Sequence, residues 1–173
     1  MKIRICAATL AVALAPAFLA AQDSAPVAKA LRATAARMEK DLTAAAEAIP
    51  EAKYSYKPTP AQMSVGEIMI HLAGGNDALC SAIGGVQKPT REKIAATAGK
   101  AALIARLKET FQFCHTSLAG LDDSKLSEEL SVFGEKMPRA DWELETAGDW
   151  ADHYSQLAIY MRLNGLLPPT AKK

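Results

Sequence analysis

The last third of the chain contains a helix whose end is marked clearly by the sequence. An apolar pattern of helical period runs from about residue 140 to 164, and Gly165 followed by Pro168 and Pro169 ends it. Four polar residues recur on this helix at spacings of four, three and four, and therefore share one face: Asp149, His153, Gln156 and Tyr160. A face of this kind needs a partner helix to pack against, so the segment predicts a helical assembly.

Three further segments show helical periodicity, over about residues 26–49, 64–83 and 100–119. Ser64 and Glu67 form a capping-box pattern at the start of the second segment, and Gly84-Gly85 follows its end. Long connections join the first helix to the second and the third to the fourth. The connector over 88–98 has room for a helical turn from Thr90, and residues 130–133 form a short β-like stretch. The sequence therefore predicts an all-α fold, a four-helix bundle with long connections.

The N-terminus has the pattern of a secretory signal peptide over residues 1–22. Lys2 and Arg4 precede an apolar run, and small residues follow before a cleavage point after Ala21 or Gln22. The apolar run is too short for a convincing membrane span, and no Cys stands at the cleavage point to carry a lipid anchor. We expect a periplasmic or secreted protein without a stable membrane anchor, in which residues 23–173 form one domain.

The charge balance argues against nucleic-acid binding. The chain carries 20 basic and 19 acidic residues. Without Lys2 and Arg4, 18 basic residues face 19 acidic ones, a net charge of −1 with neutral histidines. No basic cluster offers the electrostatic footprint that a polyanion requires.

Two cysteines, Cys80 and Cys114, remain after the predicted cleavage, and each lies on a predicted long helix. In an exported chain this pair indicates one disulfide between the second and third helices. Such a bridge would stabilise the fold by about 4 kcal/mol in the chain-entropy model. The alternative is two buried free thiols, which a helical core tolerates well.

His71, Asp149 and His153 are the candidate metal ligands. His71 lies on the second helix among apolar residues, where a lone histidine is often only a core residue. Together with Asp149 and His153 on a facing helix, it can complete an open three-ligand site. Two imidazoles and a carboxylate suit Zn, Ni, Fe(II) or Mn. Alternatively, Asp149 is a solvated residue that favours the helix dipole, and Glu67 is a substitute ligand or a partner of the ligands.

Other residues near these positions are candidates for a pocket. Gly74 and Gly75 lie inside the second helix, where each glycine costs about 1 kcal/mol relative to alanine. They admit either a ligand or a closely packed helix beside His71. The candidate residues that line the pocket or support the metal ligands are Glu67, Asn76, Gln156 and Tyr160.

Two segments carry a family resemblance. The final helix contains HYSQLAIYMRLNGLLPP, and the earlier region has Tyr56-Lys-Pro58-Thr-Pro60, then VGEIMIHLAGGN and Cys80. These segments resemble secreted bacterial members of the DinB-like (damage-inducible B) superfamily of four-helix metal-binding proteins, over nearly all of the mature chain. Asp149 stands where that family usually has a metal histidine, and Ser155 where it usually has glycine.

The resemblance implies metal-dependent chemistry on a small molecule. Characterised relatives include transferases that activate a thiol for attack on an electrophile, so we expect activation of a thiol or water by a divalent metal. A non-catalytic metal- or small-ligand-binding bundle is the alternative, as is a vestigial member that lacks the third metal histidine. Several members of the family self-associate, which makes a homodimer compatible with the resemblance.

Overall fold

The computed structural model describes residues 25–171, so the predicted signal peptide lies outside the described residues. Four helices account for most of the described chain: α1 (Pro26–Ala48), α2 (Val65–Gly84), α3 (Lys100–Leu118) and α4 (Arg139–Leu163). The expected four-helix architecture is therefore confirmed, with each helix end within one residue of its predicted place. No helix among the described residues is both long enough and apolar enough to cross a bilayer.

Helix α2 has well-defined ends, as the sequence indicated. The Ser64 hydroxyl accepts from the Glu67 backbone N–H at 3.2 Å, and the Glu67 carboxylate accepts from the Ser64 N–H at 2.6 Å. Gly85 ends the helix in the left-handed conformation, with a φ of 64° that glycine adopts without steric cost. The helix that carries His71 is therefore held at both termini.

Each helix packs mainly on two others. Helix α2 contacts α3 and α4, and α1 contacts α3 and α4 as well. Consecutive helices α1 and α2 thus lie diagonally across the bundle, as do α3 and α4, which is why their connections are long. The diagonal arrangement places α2 beside α4, the two helices that carry the candidate metal ligands.

A two-stranded antiparallel hairpin precedes α4. Strand β1 (Glu129–Val132) pairs with β2 (Glu135–Pro138), and a two-residue turn of Phe133 and Gly134 joins them. Strand β1 covers residues 130–132 of the β-like stretch seen in the sequence, whereas Phe133 lies in the turn. By contrast, the helical turn expected from Thr90 is absent: residues 86–95 have no regular secondary structure, and Arg91 binds Asp77 on α2 at 2.7 Å.

The core lies between the four helices and includes a disulfide. Cys80 on α2 and Cys114 on α3 are joined, with both side chains fully buried and their Cα atoms 5.1 Å apart. The ring of Trp150 on α4 packs on Phe111 of α3 with centroids 5.6 Å apart. These contacts link α2, α3 and α4.

Candidate metal centre

His71, Asp149 and His153 converge at the contact between α2 and α4. Because Asp149 and His153 are four residues apart, they project from the same face of α4. The Asp149 Oδ1 atom lies 3.2 Å from His153 Nε2 and 3.4 Å from His71 Nε2. The two imidazole rings meet edge to face, with centroids 4.6 Å apart.

The three donor atoms have spacings that suit one divalent ion. One ligand atom from each residue lies within 4.8 Å of the other two. Ligands at about 2.0–2.1 Å from a tetrahedral ion stand roughly 3.3 Å apart, close to the two measured contacts of 3.2 and 3.4 Å. Among the described residues, no other group of three or more such side chains meets the same condition. The residues present therefore fit a metal ion.

A hydrogen-bonded chain along α4 orients His153. Its Nδ1 lies 3.2 Å from the Gln156 carbonyl oxygen, and the Gln156 amide donates to Asp152 at 3.0 Å. Since a carbonyl oxygen only accepts, this contact assigns a proton to Nδ1 and leaves Nε2, which faces Asp149, to bind either a cation or a second proton. This arrangement is typical of metal-binding histidines, whose second nitrogen is fixed by a polar partner. Gln156 is thus placed as the sequence suggested, and Asp152 acts through it.

The electrostatics of the site couple Asp149 to both histidines. Burial by itself raises the pKa of Asp149, but hydrogen bonds and charge from His153 and His71 outweigh it, so its pKa is lowered. Burial likewise lowers the pKa of His153, yet the hydrogen bond and charge of Asp149 prevail and the pKa of the imidazole is raised. A proton on His153 therefore occupies the contact that a cation would take.

The two histidines differ in exposure. The His153 side chain is only 6% exposed, whereas that of His71 is 49% exposed. His71 is therefore not the core histidine that its apolar neighbours in sequence would suggest. A cavity of about 500 Å³ opens on the side of His71 and Asp149 and gives access to the site.

Two of the expected pocket residues belong elsewhere in the fold. Asn76 is buried in the core, where its Oδ1 accepts from Trp150 Nε1 at 2.7 Å and its amide donates to Thr110. Tyr160 donates its hydroxyl to the Met63 carbonyl at 2.8 Å and so ties α4 to the chain before α2. The expectation that these two residues line the pocket is corrected, because burial requires each polar group to find a fixed partner.

Glu67 is also committed to another role. Besides its part in the capping box, its carboxylate pairs with Lys57 at 2.8 Å, and the hydrogen bond from Lys57, with those from Ser64, lowers its pKa to about 2. Glu67 is thus a structural residue of the α2 N-terminus. The remaining histidine, His115, pairs with Glu39 at 2.7 Å on a different part of the bundle.

Sequence reasoning missed three residues beside the metal centre. Phe133 and Trp142 line the cavity from the hairpin and the start of α4, and Lys88 lines it from the connector after α2. The one available signal was Gly134, a residue typical of tight turns, directly after the short β-like stretch over residues 130–133.

The sequence model of the DinB superfamily matches residues 19–157. No curated protein is significantly similar in sequence.

Among solved structures, a DinB-like protein from Bacillus subtilis superposes with a TM-score of 0.63 at 19% identity, over 79% of this chain and 92% of that chain. A DinB-like protein from Bacillus cereus ATCC 10987 superposes with a TM-score of 0.66 at 14% identity, over 82% and 95%. At these identities the structural similarity concerns the fold, whereas the sequence model covers most of the chain. The chain therefore belongs to the DinB superfamily.

Proposed function

We propose that this protein is an exported metal-dependent enzyme of the transferase or hydrolase type, with a divalent ion held by His71, Asp149 and His153. The convergence of these three side chains from α2 and α4 carries the proposal. When bound, such an ion acts as a Lewis acid that makes a thiol or a water nucleophilic near neutral pH. The donor set suits Zn, Ni, Fe(II) or Mn.

Each residue of the site has a distinct part in this proposal. His153 is buried and held by Gln156, so it provides a rigid imidazole donor. Asp149 contacts both histidines and adds one negative charge, which favours retention of a dication. His71 is half exposed beside the cavity, so a small-molecule substrate can approach from its side.

An exported location is part of the proposal. The Cys80–Cys114 disulfide supports it, because such bridges persist in oxidising compartments. Expression with the native N-terminus, cell fractionation and N-terminal sequencing would test it. We expect a periplasmic protein that begins at Gln22 or Asp23, and a cytoplasmic protein that keeps residue 1 would refute it.

A second candidate function is a metal-free or vestigial bundle that binds a small ligand without catalysis. One observation favours it: the Asp149 carboxylate contacts both histidines, so the polar groups of the cluster have partners without an ion. Elemental analysis separates the two candidates.

The experiment measures metal content by mass spectrometry in protein exported to a periplasm. We expect about one divalent ion per chain in the wild type, and loss of that ion in Asp149→Ala and His153→Ala. His115→Ala removes a histidine outside the site and should retain the metal. Absence of metal from the wild type after reconstitution with each of the four ions would overturn the enzyme proposal. A positive result would justify screening for thiol transfer and hydrolysis.

A further inference from the structure

The cavity beside the metal centre continues into a second one. The first, of about 500 Å³, and the second, of about 590 Å³, share Ile70, Gly74 and Lys88 as lining residues. Both therefore lie over the same turn of α2, between Ile70 and Gly74. Together they form a continuous depression that begins at the metal ligands and extends towards the connector of residues 86–99.

Gly74 leaves the floor of this depression open. A Cβ atom added at Gly74 would meet no atom within 4 Å, and one added at Gly75 would meet only ordinary contacts, the nearest being Asp149 Oδ2 at 3.7 Å. Close helix packing therefore does not explain these two glycines. A side chain at position 74 would instead project into the space that the two cavities share.

Two aromatic side chains bound the first cavity. Trp142 is buried on one side, and Phe133 at the hairpin tip is 71% exposed. Phe133 has a φ of 53°, in the left-handed region that bulky residues avoid. An exposed aromatic ring in a strained turn contributes nothing to the core, and strained residues of this kind cluster at ligand-binding sites.

The charges along the depression are unevenly distributed. Glu135 and Glu145 line the first cavity, Asp77 and Glu92 line the second, Lys88 lines both, and Lys93 lines the second. No carboxylate among the described residues pairs with Lys88 or Lys93. The two arginines of the second cavity are already paired: Arg91 with Asp77 and Glu109, and Arg106 with Glu109. The lining of the second cavity therefore has more cationic side chains than carboxylates, whereas carboxylates outnumber lysines in the lining of the first, and Lys88 lies where the two cavities adjoin.

We propose that the joined cavities bind an amphipathic organic anion with a flat apolar body. The body lies over Gly74 between Phe133 and Trp142, and the anionic group binds Lys88. The far side of the body then faces His71 and Asp149. This inference rests on the proposed function in one respect: if the metal centre is catalytic, an amphipathic organic anion is its class of substrate.

Two fluorescent probes of similar shape test the inference. The anion 8-anilinonaphthalene-1-sulfonate carries an aromatic body and a sulfonate, and N-phenyl-1-naphthylamine has the same aromatic body without the charge. We expect Phe133→Ala to lower the affinity for both probes by roughly 3- to 10-fold, the range for the loss of one aromatic contact. Lys88→Gln should lower the affinity for the anionic probe alone. The expected loss is roughly fivefold, the upper end of the contribution of a solvent-accessible ion pair.

The decisive variant is Gly74→Leu, which fills the shared space and should reduce the affinity of both probes at least tenfold. Gly148→Leu is its matched control, because Gly148 also lies inside a helix with no atom within 4 Å of an added Cβ and lines neither cavity. Lys136→Gln is the control for charge, since Lys136 lies on β2 outside both cavities. Thermal unfolding of each variant would verify that it is folded.

Measurements with chelator-treated and zinc-loaded protein separate this inference from the proposed function. If the probes bind as expected but the protein binds no metal, the anion site is supported and the proposed metal-dependent function is refuted. Metal binding together with probe affinities unchanged by Gly74→Leu would overturn the anion site alone. If Lys88→Gln lowers the affinity for both probes equally, the assignment of the anionic group to Lys88 is overturned.

Discussion

Replacing Gly74 by alanine should stabilise this protein, although glycine is the natural residue. The position lies inside α2, ten residues before its end at Gly84, and an added Cβ would meet no atom within 4 Å. The substitution therefore adds no steric cost in the folded state. It reduces the conformational freedom of the unfolded chain, which must be lost on folding.

The size of the stability gain follows from the helix preference of alanine and from the absence of a steric cost. Alanine is favoured over glycine inside a helix by about 0.5–1 kcal/mol, and the open surroundings of Gly74 subtract nothing from this gain. For a domain of this size, about 1 kcal/mol raises Tm by roughly 2–4 °C. We therefore expect Gly74→Ala to raise Tm by about 1–4 °C.

Gly66→Ala is the contrasting variant in the same helix. A Cβ at Gly66 would lie 2.1 Å from the Ala96 carbonyl oxygen, so the connector would have to move, at a cost of about 1–3 kcal/mol. Urea unfolding followed by circular dichroism at 222 nm measures both changes. A loss of stability in Gly74→Ala would refute the reasoning, because it would mean that the glycine is required by packing and not by the open cavity.

Three other outcomes are expected. Gln156→Leu removes the partner of His153 Nδ1 and should lower metal affinity by about 10- to 100-fold in competition with a chelating indicator, while Gln112→Leu on α3 should not; unchanged affinity would contradict the orienting role of Gln156. In chelator-treated protein the pKa of His153 is raised by Asp149, so its contribution to stability is complete below its ordinary value of 6.5 and is lost as pH rises through the folded value. The lowered pKa of Asp149 adds stability above its ordinary value of 3.8, lost as pH falls through the folded value. The Tm difference between wild type and His153→Gln should therefore be largest between these pH values and shrink above them, and a difference that grows up to pH 9 would contradict the pairing. The double variant Cys80→Ala, Cys114→Ala removes a bridge between positions 34 apart and should lower the free energy of unfolding in urea by about 4 kcal/mol. Reductant should not lower the stability of this variant further. Equal stability of the wild type and the double variant would refute the prediction.

Local patterns in the chain were sufficient to predict the helices and their ends. The capping box at Ser64 and the left-handed Gly85 involve only neighbouring residues, so their structure follows from a few positions. The shared face of Asp149, His153 and Gln156 likewise depends only on helical period. The hydrogen bond between His153 and Gln156, three residues apart on α4, could therefore be anticipated.

Polar residues on the same helical faces were harder to assign. Tyr160 has the periodicity of the α4 site residues and Asn76 lies close to His71 in sequence, yet their partners are Trp150, Thr110 and the Met63 carbonyl, up to 97 positions away. A buried amide or hydroxyl must be satisfied, but the sequence does not show which distant group will satisfy it. The tertiary arrangement assigned these two residues to the core.

The same distinction applies to the site as a whole. The chain's own pattern of apolar residues, caps and breakers dictates four helices, and helical period brings Asp149 and His153 together. Only the diagonal packing of the helices brings α2 beside α4, so that His71 meets Asp149 across 78 positions. The placement of Phe133, Trp142 and Lys88 around an open Gly74 likewise comes from the hairpin and the connector folding over the bundle. Contacts within a helix follow from a fixed geometry that sequence spacing reveals, whereas contacts between distant segments depend on how whole surfaces fit together.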